Sequence, residues 1–520
     1  MNGLADEQFS KYVMPNAVTN VVCTAMMALA GILLVPYYIG EMGMGAYGLL
    51  PLVTTITYYV IIITDELTKA FSRYLIISIH ENDTEKSNSI YTTTIRGLGR
   101  SMLMMFPLVV LVAIASPYVF QTGDIPDTSV QLLFLMVLSS ALIMSFSTCL
   151  NGIFMACNKL YIIHIARLMY TTLQLILIVS MFSAWGPDLE YIGVAYLVSA
   201  AIFFVLLFFM AKRINPDLSY QRRLYDGKML KEMGELGTWS IISRIGMLLF
   251  IQVSLFLVNI FMGNVEGGSF SLIVTMISIT NTACITVTTV VAPILYKSYA
   301  NKDMESLIKI SRLSMKLIGL LIAYPIAYFC MFSTQVLDLL GNGEFLGPME
   351  IVPLMFSVQV GVCAISVLEV IPILFLRIKP VAVVTILVGL INVLSAAALL
   401  NYTDMGVMTV AIVWVITMFF LNFIFYPIFV AKVLSHKPHS FLTPLVPGYL
   451  ALIGCVVVGY VTKLYYTMPS TWATVIIPFA VLFIMYLAVI WKFGFNKSDK
   501  SMIAGVLPSF MRKYLIKQTS

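Results

Sequence analysis

The chain has 520 residues, of which 60% are hydrophobic and 11% charged, with a formal net charge of +6. Soluble domains carry about 25% charged residues, so this composition excludes a water-soluble globular protein and calls for a bilayer as solvent. The positive charge is no nucleic-acid signature, because the basic residues sit in short loops between apolar runs.

The N-terminus carries Asp6, Glu7 and Lys11 and then a long apolar run with no small-residue cleavage site. This predicts a first transmembrane helix and not a removed signal peptide. At about 20 residues per span, apolar runs of spanning length follow at 14–39, 46–70, 97–119, 129–153, 160–184 and 191–211. A polar gap at 212–237 interrupts them. They resume at 238–262, 270–296, 312–335, 350–376, 380–400 and 406–431, with a final pair at 444–466 and 471–492. Pro36, Pro107, Pro325, Pro353, Pro372 and Pro427 lie in or beside these spans, where neighbouring helices and hydroxyl side chains satisfy the freed backbone groups. The seven cysteines form no CxxC pair and no metal-like cluster.

The connecting loops alternate in charge. One set holds Arg73, Lys86, Arg96, Arg100, Lys159, the cluster from Lys212 to Lys231, Lys297, Lys302, Lys309, Arg377, Lys379, Lys432, Lys437 and the basic tail. The other holds Glu41, Asp124, Asp127, Asp188, Glu190, Glu266, Asp338, Glu344, Glu350 and Asp404, with Lys463 as its one basic residue. The positive-inside rule places the first set, and with it both termini, in the cytoplasm. One missed helix would invert the pattern downstream, so the unbroken parity supports a count near fourteen.

Two segments align at a shift of 223 residues: YYIGEMGMGAYGLLPLVTTI from Tyr37 and NIFMGNVEGGSFSLIVTMIS from Asn259. The shift sets Gly40 on Gly263, Gly45 on Gly268, Tyr47 on Phe270 and Leu49 on Leu272. Six helices separate the copies, so they share an orientation, as in parallel repeats about an axis along the membrane normal. The expected fold class is therefore an all-α polytopic membrane protein of about 14 transmembrane helices, with two pseudo-symmetric six-helix lobes plus two C-terminal helices. The expected division is a first lobe at 1–212, a cytoplasmic linker at 213–237 and a second lobe at 238–435. Helices 13 and 14 then occupy 436–494, and a cytoplasmic tail fills 495–520. In the linker, Leu224, Met229, Leu230 and Met233 can share one helical face, which predicts an amphipathic segment on the cytoplasmic interface. The tail segment SMIAGVLPSFMRKYL has a similar mixture and predicts membrane-surface contact.

No Walker loop, GxSxG, HExxH or paired-carboxylate motif is present, so the reading is not an enzyme, with no bound cofactor expected. Ionisable residues inside spans are expensive and mark functional candidates. Asp65, Glu66, Lys69 and Arg73 cluster at the cytoplasmic end of the second helix, where the 65/69 and 69/73 spacings stack charges on one face. The bland alternative for them is a helix end with snorkelling side chains. Arg167 lies about two turns into the fifth helix and Arg244 about two turns into the seventh, where the 223 shift pairs it with Val21. Lys316 follows Arg312 by four at the start of the ninth helix. Snorkelling accounts easily for Lys316, partly for Arg167 and least for Arg244. Glu369, in VLEVIPILF, is the acid well inside a later span, suited to a cation, a proton or a structural ion pair. Cations on several helices without matching acids suit an anionic substrate, because guanidinium groups bind phosphate oxygens bidentately.

The segment LLVPYYIGEMGMGAYGLLPLVTTI, the arginine of FSRYLI, the junction IFMGNVEGGSFSLIVTMIS and LDLLGNGEF resemble the polysaccharide (O-antigen repeat-unit) flippases. These belong to the multidrug/oligosaccharidyl-lipid/polysaccharide exporter superfamily. The likeness covers the layout of residues 10–430, and Phe270 departs from the tyrosine usual in the second junction. The resemblance implies a flippase of a multi-pass plasma (inner) membrane. It would carry polyprenyl-pyrophosphate-linked oligosaccharide units from the cytoplasmic to the outer leaflet by alternating access, coupled to a Na+ or H+ gradient. It implies a cationic cavity, for which Arg244, Arg167, Lys69, Arg73 and Lys316 are the candidates, and coupling acids, for which Asp65, Glu66 and Glu369 are. The implied partners are the polyprenyl-phosphate-linked glycan, membrane lipids and other polysaccharide assembly proteins, with no nucleic acid.

Three alternatives stay open. A multidrug and toxin extrusion antiporter needs a buried acid in its first helix, and NAVTNVVCTAMMALAGILLVPYY has none. A lipid II flippase would carry basic residues there, also missing. A membrane glycosyltransferase or polymerase would carry a large outer loop, whereas the outer loops here are short and acidic.

Overall fold

The computed structural model describes residues 2–81, 83–465 and 469–506. Within these, the side chains of 2–14, 17, 63, 65–67, 69, 70, 73, 80, 233–240, 251, 290, 465, 501 and 503–506 are not described. The long helices are α1 (Asn2–His80), α2 (Thr84–Val119), α3 (Asp127–Ser147), α4 (Tyr161–Trp185), α5 (Leu189–Ile214), α6 (Gly227–Met262) and α7 (Asn264–Ala300). They continue as α8 (Met304–Met331), α9 (Ile351–Ile365), α10 (Ile378–Tyr402), α11 (Val407–Phe419), α12 (Val446–Tyr465), α13 (Trp472–Val489) and α14 (Lys497–Val506). No strand occurs among the described residues.

Among the described residues thirteen helices are long and apolar enough to cross a membrane, and the first apolar run, Val18–Ile62, has 45 residues. At 1.5 Å per residue that run is more than twice the roughly 30 Å hydrocarbon core. It is also broken: Gly43 has φ 81° and ψ 162° inside α1. The run is therefore two spans, which makes fourteen among the described residues. Exposed aromatic residues mark span ends, with Trp185, Tyr118 and Tyr402 at 69%, 79% and 87% exposure, as amphipathic rings do at membrane–water boundaries.

Packing divides the chain into two compact units. The first comprises Met1–Leu272, Leu340–Gly347 and Ile378–Val410; the second comprises Ile273–Leu339, Pro348–Arg377 and Ala411–Ser520.

In the first unit, apolar helices must associate without help from a hydrophobic effect between them, so small residues and hydrogen bonds form the contacts. Gly246 of α6 lies on the α10 backbone, where an added Cβ would stand 2.8 Å from Ile386 N, and Gly389 answers at 2.8 Å from Gly246 O. Asn392 Nδ2 donates to Leu249 O at 3.4 Å on the same seam. One end of the unit is filled by Phe71, Leu75, Leu98, Leu150, Phe154 and Phe203, all buried. Truncating a ring such as Phe71 to alanine costs about 3–5 kcal/mol in a core of this kind. Asn16 ties α1 to the turn before α4: its Nδ2 donates to Asn158 O at 3.1 Å and its Oδ1 accepts from Tyr161 N at 2.9 Å.

The linker differs from the expected amphipathic helix. It is a short strap along α2. Asn88 Oδ1 accepts from Ser219 N at 2.7 Å, Thr92 Oγ1 from Gln221 N at 2.9 Å and Thr93 Oγ1 from Asp226 N at 2.9 Å. The Arg96 guanidinium lies 4.5 Å from the Tyr225 ring centre. Asp226 then caps α6 by accepting from Lys228 N and Met229 N, the usual role of a short acid before the first turn. Leu224 is therefore outside the helix, and Met229 and Leu230 belong to the first turns of α6, with Leu230 against Gly97. Hydrophobic spacing alone does not register that three α2 side chains satisfy the strap's amide groups.

In the second unit, Gly319 of α8 and Gly448 of α12 meet backbone to backbone, with a Cβ on Gly448 placed 2.9 Å from Gly319 C. The α13 helix is held to α8 by phenols. Tyr324 OH donates to Phe479 O at 3.2 Å, Tyr328 OH to Val475 O at 2.8 Å, and Tyr486 OH to Leu320 O at 2.5 Å. The Val475 and Phe479 carbonyls flank Pro478, which lacks an amide proton and loosens the local helix ladder.

Candidate functional site

The predicted repeat is present, but its register differs by three residues. Gly43 (φ 81°, ψ 162°) and Gly263 (φ 116°, ψ 171°) break their helices in the same way. This backbone region is open to glycine and strained for other residues. Matching the two breaks gives a shift of 220, which pairs Gly48 with Gly268 and Met44 with Asn264. The contacts obey that pairing. A Cβ on Gly48 would collide with the Asn264 carbonyl oxygen, and one on Gly268 would stand 2.6 Å from the Met44 carbonyl oxygen. Reciprocal contacts between equivalent residues imply a local two-fold relation between the start of α7 and the segment of α1 after Gly43. The 223 shift maximised glycine and aromatic matches and put Gly40 on Gly263. Gly40 is inside the helix, and the conformation that needs glycine belongs to Gly43. In the corrected register Arg244 falls opposite Thr24 instead of Val21.

Polar groups fasten this junction. The Glu344 carboxylate accepts from Met44 N at 2.7 Å, the first amide after the Gly43 break. Free amide groups and the helix dipole both favour an anion there. Ser269 Oγ accepts from Leu346 N at 3.0 Å, so the 341–347 loop contacts both repeat copies. On α6, Asn259 Oδ1 accepts from Gln121 N at 3.0 Å, and Gln121 Nε2 donates to Ile260 O at 2.9 Å. The Gly-rich LDLLGNGEF segment, one carrier of the family likeness, thus serves as the clamp over the junction.

The candidate cations and acids distribute as follows. Arg167 on α4 and Arg244 on α6 belong to the first unit, and both side chains are exposed. Arg244 lies two residues before Gly246, whose face is closed by α10. Lys316 and Glu369 belong to the second unit. Lys316 is paired with Asp499 at 2.8 Å, and the two side chains are 21% and 18% exposed. Its ammonium also lies 5.5 Å from the Phe495 ring centre. Glu369 is half-buried and closes the 3-10 turn Ser366–Glu369 after α9. The side chains of Asp65, Glu66, Lys69 and Arg73 lie outside the described residues, although their backbone continues α1. Among the described residues no three His, Cys, Asp or Glu side chains come together as a metal-ion site.

Sequence reasoning missed polar side chains within the apolar spans of the first unit. Tyr170 and Gln174, one turn apart on α4, form one such polar pair. Gln174 Nε2 donates to Tyr170 OH at 2.7 Å. A signal existed. Interfacial belts collect tyrosine at span ends, whereas Tyr170 and Tyr196 fall inside their apolar runs.

Comparisons with known proteins agree with this architecture. The chain is 25% identical to the "uncharacterized membrane protein EpsK" of Bacillus subtilis (strain 168) over 502 residues, 94% of this chain and 96% of that protein. An inward-facing multidrug resistance MATE family transporter of the MOP superfamily superposes with a TM-score of 0.61 at 15% identity, over 87% of this chain and 100% of the transporter. An outward-facing MATE transporter of that superfamily gives 0.57 at 14% identity, over 86% and 96%. At such identities the likeness establishes the fold. The family model described as "Polysaccharide biosynthesis protein" matches residues 13–299, more than half of the chain and including both junction glycines. The chain belongs to the polysaccharide biosynthesis protein family.

Proposed function

We propose that the chain is a flippase, moving polyprenyl-pyrophosphate-linked oligosaccharide units from the cytoplasmic to the outer leaflet by alternating access. The observation that carries the reading is the Gly48/Gly268 junction, where equivalent residues of two repeat copies meet in reciprocal contact, each glycine against the backbone of the other copy. A seam of close backbone contact between repeat copies suits transport by rocking of repeats. By loop-charge parity it lies toward the outer face. Arg167 and Arg244, exposed on two helices of the first unit, suit a pyrophosphate better than a cation. Lys69 and Arg73 are the further cations of this assignment, and Lys316, paired with Asp499, is left to holding the tail. Asp65, Glu66 and Glu369 are assigned to Na+ or H+ coupling. Family membership supports a glycan cargo. The MATE-like fold is shared by exporters of cationic drugs, but the first span of this chain offers such drugs no acid.

The test is export of surface glycan from cells in which the chromosomal copy is replaced. Deletion should stop export and accumulate lipid-linked glycan on the cytoplasmic side. Arg244→Ala should abolish export at a normal membrane level of protein, and Arg244→Lys should restore part of it. Normal export after deletion would sink the reading. Normal export from Arg244→Ala would remove Arg244 from the cargo path.

A further inference from the structure

The second unit carries a recess that plays no part in the junction or in the cargo assignment. Directly after α11, residues Phe420–Phe425 form a π-helical stretch, a wide turn that re-aims the side chains on it. The Phe423 ring lies against Gly361 of α9, where any added Cβ would collide with it. Tyr449 of α12 reaches the same place, its OH accepting from Gly361 N at 3.2 Å. The Phe423 and Tyr449 rings are 6.0 Å apart between centres and tilted by 51°. They floor a cavity of about 260 Å³ walled by Leu442, Leu445, Leu450 and Ile453. Leu450 and Ile453 are 64% and 59% exposed, so the cavity is an open groove on the surface of the unit.

One end of the groove is polar and basic, and by loop-charge parity it is the cytoplasmic end. Thr443 stands there between Leu442 and Leu445, and its Oγ1 accepts from Arg312 Nη2 of α8 at 3.5 Å. Arg312 is exposed, and no carboxylate pairs with it among the described residues. Lys437, also exposed, adds positive potential from the preceding turn. That turn is tied to the mouth, with Lys437 O accepting from Ser440 Oγ at 2.6 Å and Ser440 O from Thr443 Oγ1 at 3.2 Å.

A cation at the head of an apolar groove matches an amphiphile with an anionic head and an aliphatic tail. A small anion has no use for the walls, and a neutral lipid has none for the arginine. Length selects the tail. From Val446 to Ile453 the α12 wall rises about 10 Å at 1.5 Å per residue. One leaflet contributes roughly 15 Å to the hydrocarbon core. An acyl chain rooted at the mouth fits that depth and ends inside its own leaflet, whereas a long polyprenyl chain overruns it. Basic pockets between spans on the cytoplasmic side are suited to anionic head groups. We propose that the groove binds one anionic phospholipid of the cytoplasmic leaflet, its phosphate at Arg312 and one acyl chain over Phe423 and Tyr449. The site uses none of the cargo residues, so it stands independently of the flippase reading.

The test places the full-length protein in phosphatidylcholine vesicles with a trace of phosphatidylglycerol whose acyl chain bears a diazirine. Irradiation and peptide mass spectrometry locate the adducts, and phosphatidylcholine with the same diazirine chain is the reference. Phosphatidylglycerol should label Phe423 and residues 442–453 about 5-fold above the reference, the preference that one cation near an anionic head group supplies. Arg312→Gln should bring the two lipids level there and leave phosphatidylcholine labelling as it was. Equal labelling by both lipids in the wild type overturns the site, because the groove then holds bulk lipid without selection. A preference that survives in Arg312→Gln overturns it as well. Should that variant fail to fold, the wild-type comparison decides by itself. Competition separates the occupants: unlabelled phosphatidylglycerol should displace the label at lower concentration than a polyprenyl phosphate does. The reverse order overturns the proposal and gives the groove to the cargo carrier.

Discussion

Gly48 and Gly268 are packed backbone against backbone, with a Cβ on Gly48 placed 3.0 Å from the Gly268 nitrogen and 3.2 Å from its Cα. Backbone cannot retreat as the end of a flexible side chain can, so a methyl group added at either position must open the seam. Overpacking of this kind costs about 1–3 kcal/mol, which shifts a two-state equilibrium about 5- to 150-fold away from the closed arrangement. Gly48→Ala and Gly268→Ala should each reduce glycan export strongly at normal membrane levels. A cysteine placed at Met44 should gain reactivity toward a membrane-impermeant maleimide in the Gly48→Ala background. Unchanged export and unchanged labelling would show that the seam does not move in transport.

Much of this fold is legible in the sequence, and the illegible parts share a cause. Span number follows from hydropathy and loop charge, because a bilayer imposes length and the positive-inside rule imposes parity. The repeat is visible because both junctions need glycine. Its register is not, because Gly40, Gly43 and Gly45 look alike as letters and only φ separates them. The strap at 219–226 is hidden for a similar reason: Asn88, Thr92 and Thr93 are ordinary polar residues until the amide groups they satisfy are located. Arg244 is conspicuous as a charge in an apolar run, whereas the tyrosines are hidden by counting as hydrophobic.

Glu344 holds the first amide after the Gly43 break. Glu344→Gln keeps an acceptor but loses the charge that favours a helix N-terminus, and Glu344→Ala loses both. Capping losses of this kind are worth about 1 kcal/mol, and the exposed position of Glu344 argues against more. Thermal unfolding in detergent should rank wild type above Glu344→Gln above Glu344→Ala. An inverted order would remove the clamp role.

Asp303 caps α8 by accepting from Ser306 N at 3.0 Å. Hydrogen bonds from the Ser306 side chain and amide hold its carboxyl below the ordinary value of 3.8. A group depressed on folding contributes stability above its unfolded pKa and loses it as pH falls through the folded one. Asp303→Ala should therefore lower the unfolding temperature slightly at neutral pH. The gap from wild type should close in acid, below the folded-state pKa. A gap constant across that range would mean that the carboxylate charge contributes nothing.

Lys316 separates a structural cation from a cargo-binding one. Its ammonium lies 2.8 Å from Asp499 Oδ2. Asp499 N also donates to Asn496 Oδ1 at 2.7 Å, so the lysine meets a preformed turn at the start of α14. Leu320, Ile490 and Phe495 bury the adjacent surface. With both partners about four-fifths buried, the pair is worth more than the ~0–1 kcal/mol of an exposed ion pair and less than the ~3–5 kcal/mol lost on breaking a fully buried one. Lys316→Met should therefore release α14, seen as faster amide exchange over 497–506, and Asp499→Asn should do the same. The double variant should be little worse than either single one, because the interaction is already gone. Export should persist in all three if Lys316 holds the tail. Export lost in Lys316→Met but kept in Asp499→Asn would return Lys316 to the cargo path, because only the lysine would then matter to transport.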